Sequence, residues 1–175
     1  MMRVLFIGKR HYTNRDAMEE RYGRIYQLPL HWAKQGTETR LWLIDYHERL
    51  SSKRHDHGMQ VDSTPIRGLG WISKAMGVIV GRRSEQRPTH IVASGDAYIG
   101  LLGWCLARLT GARFIFDVYD KYDEFSGYRK PLDWDLFGFL LRRADACWFA
   151  SRRLFPGSGL SRCLYRISPA SGQSS

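Results

Sequence analysis

No stretch of this 175-residue chain reaches the ~18 apolar residues that a membrane-crossing helix needs. The closest, residues 97–109, is short and fits a buried helix. The first apolar run, residues 4–7, is too brief for the core of a signal peptide. Cysteine is sparse: Cys105, Cys147 and Cys163 follow no zinc-ligand spacing. Cys105 and Cys147 sit in apolar runs and read as buried, reduced thiols, so a reducing, cytoplasmic compartment is expected. The glycines of a dinucleotide-binding fingerprint are also missing. Gly8 is followed by Lys9, Arg10 and His11, which argues against a dehydrogenase.

Acidic residues are in deficit, 17 against 27 Lys and Arg, and the formal net charge of +10 points to an anionic partner. Phosphorylated substrates, acidic lipid head groups and nucleic acid all match that sign. The basic residues are dispersed, and no helix-turn-helix, zinc or RNA-binding signature accompanies them, so nucleic acid is not the expected partner. An apolar content of 43% suits a folded domain with a core, not a disordered chain.

Along the chain, runs of buried type alternate with amphipathic ones. Residues 4–7 read as a buried parallel strand closed by Gly8. Residues 9–20 are polar, with Asp16 and Glu19 as a weak capping signal. The helix that follows is expected to turn Ile25, Leu28, Trp32 and Ala33 to one face, to be kinked by Pro29 or to hold it in its first turn, and to stop at Gly36. Strands are expected over 39–44, 59–66, 90–93, 113–118 and 146–150, and helices over 69–80, 97–109 and 132–143. Residues 45–58 read as a polar loop; its His55-Asp56-His57 segment needs no metal to explain it. This alternation predicts an α/β domain with a parallel sheet covered by helices on both faces, spanning residues 1–154. Residues 155–175, rich in Ser, Gly, Pro and Arg and without an acid, read as a poorly ordered tail.

Ligands of open parallel sheets bind beyond the carboxyl ends of the strands, which singles out three loops. The first, between Gly8 and Gly23, is long for such a connection and carries Lys9, Arg10, His11, Arg15, Arg21 and Arg24, suited to phosphate. The second, Ser94-Gly95-Asp96, has small residues that admit a ligand, or else simply caps the next helix through Ser94 or Asp96. The third, residues 117–124, holds four carboxylates. These could bind a divalent cation, act as a base, orient a sugar hydroxyl, or pair with Lys121, Arg129 and Lys130.

Four segments together resemble the N-terminal domain of glycosyltransferase family four, which has the two-domain GT-B fold. They are residues 3–8, residues 21–29 with the following helix and strand, residues 115–120, and Arg143-Ala144-Asp145-Ala146 leading to Ser151. The resemblance covers residues 2–154 and implies one Rossmann-like half of a GT-B enzyme. Such an enzyme moves a sugar from a nucleotide-sugar donor to a glycan or lipid-linked acceptor without an obligatory metal or other cofactor. It also implies that this half supplies acceptor contacts and that the donor-binding half lies outside this chain, as in a truncated or split enzyme. Gly23 and Arg24 fall at the loop–helix junction that faces the cleft. With Arg10, Ser94 and Gly95 they are the expected substrate-binding residues. Tyr119 falls where many members carry histidine and Asp120 on the neighbouring acid; these two are the expected catalytic residues. Peripheral contact with an anionic membrane, at its inner face, is a further expectation. The competing readings are a non-catalytic interaction subunit and, from charge alone, a nucleic-acid-binding module.

Overall fold

The computed structural model describes residues 1–12, 14–47, 50–81, 87–118 and 135–149. The expected tail at 155–175, Tyr119 and Asp120 lie outside them. Seven strands form the main sheet: β1 (Arg3–Lys9), β4 (Glu38–Asp45), β5 (Ser52–Asp56), β6 (Met59–Pro65), β7 (His90–Ser94), β8 (Arg113–Val118) and β9 (Ala146–Phe149). Two short strands, β2 (His11–Tyr12) and β3 (Arg15–Asp16), make a separate antiparallel hairpin. The helices are α1 (Gly23–Lys34), α2 (Gly70–Val80), α3 (Ala97–Thr110) and α4 (Leu136–Arg143).

The sheet order is β5-β6-β4-β1-β7-β8-β9. All neighbours are parallel except β5, which pairs antiparallel with β6 at one edge. Counted without β5, the parallel strands run 3-2-1-4-5-6, the doubly wound order of a Rossmann-like fold. The chain therefore starts in the middle of the sheet, moves outward in one direction, then crosses over β1 and continues in the other.

The central strands are apolar on both sides because both faces are covered. Leu5, Ile7, Trp42, Ile44, Ile91, Phe114 and Phe116 pack with α2, α3 and α4; Val4, Phe6, Leu41, Leu43 and Val92 pack with α1. Ile7, Val92 and Phe116, expected in the interior, are buried; of Trp148 and Phe149, one of which was expected there, it is Phe149 that is fully buried. α3 lies close on the sheet because of two glycines. A Cβ at Gly103 would come within 2.7 Å of the Ala93 Cβ on β7. That neighbour is fixed to a strand, so the helix itself would have to retreat. Overpacking of this kind costs roughly 1–3 kcal/mol, more than the ~1 kcal/mol gain in helix propensity from glycine to alanine. Gly103→Ala is expected to be net destabilising in urea denaturation; an unchanged or raised midpoint would show that α3 can shift freely.

Several local expectations are corrected. Residues 45–58 are not all loop: β5 forms there by antiparallel pairing with β6, which leaves Asp56 buried and Lys53 and His55 exposed, and Gly58 allows the tight return between the two strands. The polar stretch after β1 folds back as the β2–β3 hairpin. On α1 the fully buried residues are Ile25, Tyr26, Pro29 and Leu30, so the face is rotated from the one expected, leaving Leu28, Trp32 and Ala33 at its margin. Pro29 lies inside the helix, beyond its first turn. The described part of α4 begins at Leu136, after Asp135, whose carboxylate accepts from the Gly138 amide at 2.9 Å.

Candidate functional site

The order of the sheet reverses between β1 and β7, and in this architecture such a switch point, beyond the strand carboxyl ends, is where a ligand crevice is expected. Gly8, near the end of β1, lets α1 approach: a Cβ there would stand 2.8 Å from the Ile25 Cγ2 and 3.6 Å from the Ser94 carbonyl oxygen. The first turn of α1 is thereby set beside the ends of β7 and β8, carrying Gly23 and Arg24 with it. Arg24 Nη2 comes to 2.9 Å from Asp117 Oδ1, and the Ser94 hydroxyl donates to Asp117 Oδ2 at 2.8 Å. The ends of β7 and β8 and the start of α1 thus meet at a single carboxylate.

Asp117 is completely buried. Burial pushes its carboxyl above the ordinary carboxylate value, against the opposing pull of Arg24 and the Ser94 hydrogen bond. The geometry leaves unused capacity here. Among the described residues, Arg24 Nε is buried without a hydrogen-bond partner, and Asp117 Oδ1 faces Arg24 without hydrogen-bond alignment. A cation with a spare N–H next to an acid of raised pKa, at the switch point of a parallel sheet, is the arrangement expected where an anionic or hydroxylated ligand is handled.

The second loop divides its two expected roles. Ser94 does not cap α3; it serves Asp117. Asp96 is the cap, its Oδ1 accepting from the amides of Tyr98 at 3.1 Å and Ile99 at 3.0 Å. Gly95 between them has φ +130°, a conformation that a side chain would strain, so it can turn the chain from strand into helix within one residue. Tyr46, just past β4, donates to Asp96 Oδ2 at 3.4 Å, and Lys9 Nζ stands 5.0 Å from its ring centroid. Burial and then the Asp96 charge push the Tyr46 hydroxyl well above its usual range.

Arg10, expected to bind substrate, is turned inward and is only 8% exposed. Nε donates to both oxygens of Asp16 at 3.0 and 3.2 Å, and Nη1 donates to Asp45 Oδ2 at 3.1 Å, with the Ser63 hydroxyl at 3.4 Å. This ties the β2–β3 hairpin to the ends of β4 and β6. Burial raises the Asp16 carboxyl, but the hydrogen bonds from Arg10 and from the amides of Glu19 and Met18 outweigh it, and its pKa is lowered. His11 lies 3.4 Å from Asp45 Oδ1 and 4.8 Å, edge to face, from the ring of His47.

Two other features lie apart from this crevice. In the His55-Asp56-His57 segment, Asp56 is buried and engaged by the Tyr26 hydroxyl at 2.8 Å, Arg21 at 3.3 Å and His57 at 2.8 Å. It anchors α1 to β5. A cavity of about 220 Å³, lined by Trp42, Asp62 and Lys74, sits at the amino ends of β1, β4 and β6, the edge away from the strand carboxyl ends. Burial lowers the Lys74 ammonium pKa, opposed by its close pairing with Asp62.

Of the expected site residues, Arg24 and Ser94 meet directly through Asp117, and Gly23 and Gly95 flank them. Arg10 belongs to a neighbouring network, and Tyr119 and Asp120 follow Asp117 by two and three positions, outside the described residues. The centre of the cluster, Asp117, is one of the four carboxylates of the third candidate loop, whereas the residues expected to be catalytic were Tyr119 and Asp120. Its signal is a carboxylate inside the apolar run 114–118, one residue from the strand's end; Asp45, at the end of β4, carries the same signal. The fold is that of a Rossmann-like α/β protein, with a polar side-chain cluster at the switch point of its sheet. The chain matches no protein-family model and has no significant match among curated proteins. Among the described residues, no helix is long and apolar enough to cross a membrane.

Proposed function

We propose that this chain is the acceptor-side half of a nucleotide-sugar-dependent glycosyltransferase. The observation that carries the reading is the Arg24–Asp117–Ser94 cluster at the switch point. Arg24 offers a buried Nε–H, without a partner among the described residues, for a phosphate or hydroxyl oxygen, and Asp117 is a buried acid of raised pKa beside it. The resemblance to glycosyltransferase family four puts Gly23 and Arg24 on the cleft and Tyr119 and Asp120 just beyond Asp117. The donor is a nucleotide-sugar held by a second domain or chain, the acceptor is a glycan or lipid-linked sugar, and the setting is cytoplasmic, next to a membrane.

On this reading the 175 residues by themselves do not transfer sugar. Holding the donor pyrophosphate and stabilising its charge as the sugar leaves falls to the other half, and loss of even one such group costs roughly 10²–10³ in rate. An isolated half also forfeits the advantage of two positioned reactants. The test is an assay of the purified chain against a panel of nucleotide-sugars with lipid and sugar acceptors, with and without a complementary donor-binding chain. Activity is expected only in the complemented mixture. Turnover by the chain alone at roughly 1 per second or faster would refute this division of labour.

A further inference from the structure

The amino edge of the sheet carries a second cavity, beyond the one at Asp62 and Lys74. α3 and α4 both end at this edge, and a polar cavity of about 260 Å³ opens between their last turns and the residues that lead into β9. It is lined by Trp104 and Arg108 of α3, Arg142 and Arg143 of α4, and Ala144 and Asp145. All three arginines are exposed. Among the described residues, the one ion pair that any of them makes joins Arg142 to Asp135, at 3.9 Å and with both side chains more than half exposed. Asp145 shares the cavity without pairing with them; its Oδ2 accepts from the Phe114 amide at 2.8 Å and so serves β8. The guanidinium carbon of Arg143 stands 5.7 Å from the centroid of the Phe139 ring, and that ring meets Trp104 edge to face at 5.1 Å.

A single cation in the last turn already complements the negative end of a helix. Three guanidinium groups around one small cavity go beyond that need. They repel one another, and an anion held among them turns that repulsion into attraction. We infer that this cavity binds a compact polyphosphate, inorganic pyrophosphate or the diphosphate of a small ester, through Arg108, Arg142 and Arg143. The planar guanidinium fork matches phosphate oxygens two at a time, which an ammonium cannot do. Two linked phosphates carry enough charge to meet three cations with one carboxylate nearby; a single phosphate does not. The lining is polar apart from Trp104 and Ala144, so it has no apolar wall for an acyl chain, and a free polyphosphate fits it better than a lipid head group. The site lies at the edge opposite the Arg24–Asp117–Ser94 cluster and is independent of the transferase reading.

The test is calorimetric titration of the purified chain with sodium pyrophosphate at low ionic strength, where exposed charges are least screened. Saturable binding of one pyrophosphate per chain is expected, tighter than that of orthophosphate or sulfate. Arg108→Gln and Arg143→Gln should each weaken it roughly tenfold, the scale of one lost charge-assisted hydrogen bond. Both side chains are exposed, so the melting transition should stay cooperative. Arg108→Lys, which keeps the charge and loses the fork, should restore only part of the affinity. Arg67→Gln removes the same charge from an exposed position beyond β6 and should leave binding unchanged. Equal affinity for pyrophosphate and sulfate would overturn the inference, and so would equal weakening by Arg67→Gln and Arg108→Gln, which reduces the effect to net charge. Binding that Arg24→Ala removes and Arg108→Gln leaves intact would place the anion at the switch point and overturn it as well. Sedimentation with vesicles of phosphatidylcholine and phosphatidic acid separates the two sources of phosphate. Attachment to those vesicles that depends on Arg108 and Arg143, without saturable pyrophosphate binding, would assign the arginines to a lipid surface and overturn the inference.

Discussion

Arg10→Met is expected to remove about 3–5 kcal/mol of folding stability, the usual cost of breaking a buried ion pair by deleting one partner. The reason is what remains behind. Asp45 is 0% exposed, and its Oδ2 faces the Arg10 guanidinium at 3.1 Å. Without Arg10 that buried carboxylate has lost the guanidinium that faces it, and Asp16 loses the bonds that join the hairpin to the sheet. Exposed pairs behave differently: Arg142 and Asp135, 3.9 Å apart and both more than half exposed, should contribute only about 0–1 kcal/mol. The measurement is a double-mutant cycle by urea denaturation. Arg10→Met combined with Asp45→Asn should cost clearly less than the sum of the two single changes, by roughly 1–3 kcal/mol of coupling. Additive effects would show that the network is not held by the Arg10–Asp45 contact.

The Asp117 carboxyl should give the protein a pH-dependent stability that Asp117→Asn removes. Its folded pKa is raised by burial above the unfolded value, even with Arg24 and Ser94 opposing. With the sign worked through, the native state binds the proton more tightly than the unfolded chain. The stabilising contribution is therefore complete below the ordinary carboxylate value near 3.9 and is lost as pH rises through the raised value. Across that window the native protein should lose stability relative to Asp117→Asn by up to about 1.4 kcal/mol per pH unit. Arg24→Ala should extend the window to higher pH, since it deletes the cation that favours the charged form. Unfolding free energies of the native protein and both variants, measured from about pH 4 to pH 8, decide the matter. Parallel curves for the native protein and Asp117→Asn would mean that Asp117 does not titrate with a raised pKa.

The crevice was legible in part. Arg24 and Ser94 could be placed at a shared edge from the alternation of strands and helices, because every carboxyl end in a parallel sheet points the same way. That they meet through Asp117 could not be read, since the contact joins positions 93 and 23 residues apart in the chain, and neither spacing nor periodicity encodes it. Arg10 illustrates the opposite limit. In sequence it is one of five Lys and Arg residues in a polar loop; in the structure the unexpected hairpin brings Asp16 under it, and its guanidinium becomes part of the protein's own framework.

Local patterning accounts for most of the architecture. Continuous apolar runs of strand length, separated by helical periodicity, require a parallel sheet buried on both faces, and burial of Phe6, Ile7, Val92 and Phe116 follows from that alone. The antiparallel edge strand β5, the rotated face of α1 and the arginine-lined cavity between α3 and α4 followed no such pattern. β5 is held by pairing with β6, and α1 turns so that the Tyr26 hydroxyl can reach Asp56. The cavity exists because α3 and α4, each amphipathic on its own account, are spaced by the sheet beneath them. Hydrophobic periodicity tells a helix which side to bury; how far apart two buried sides come to rest depends on contacts that form only when the whole sheet has assembled.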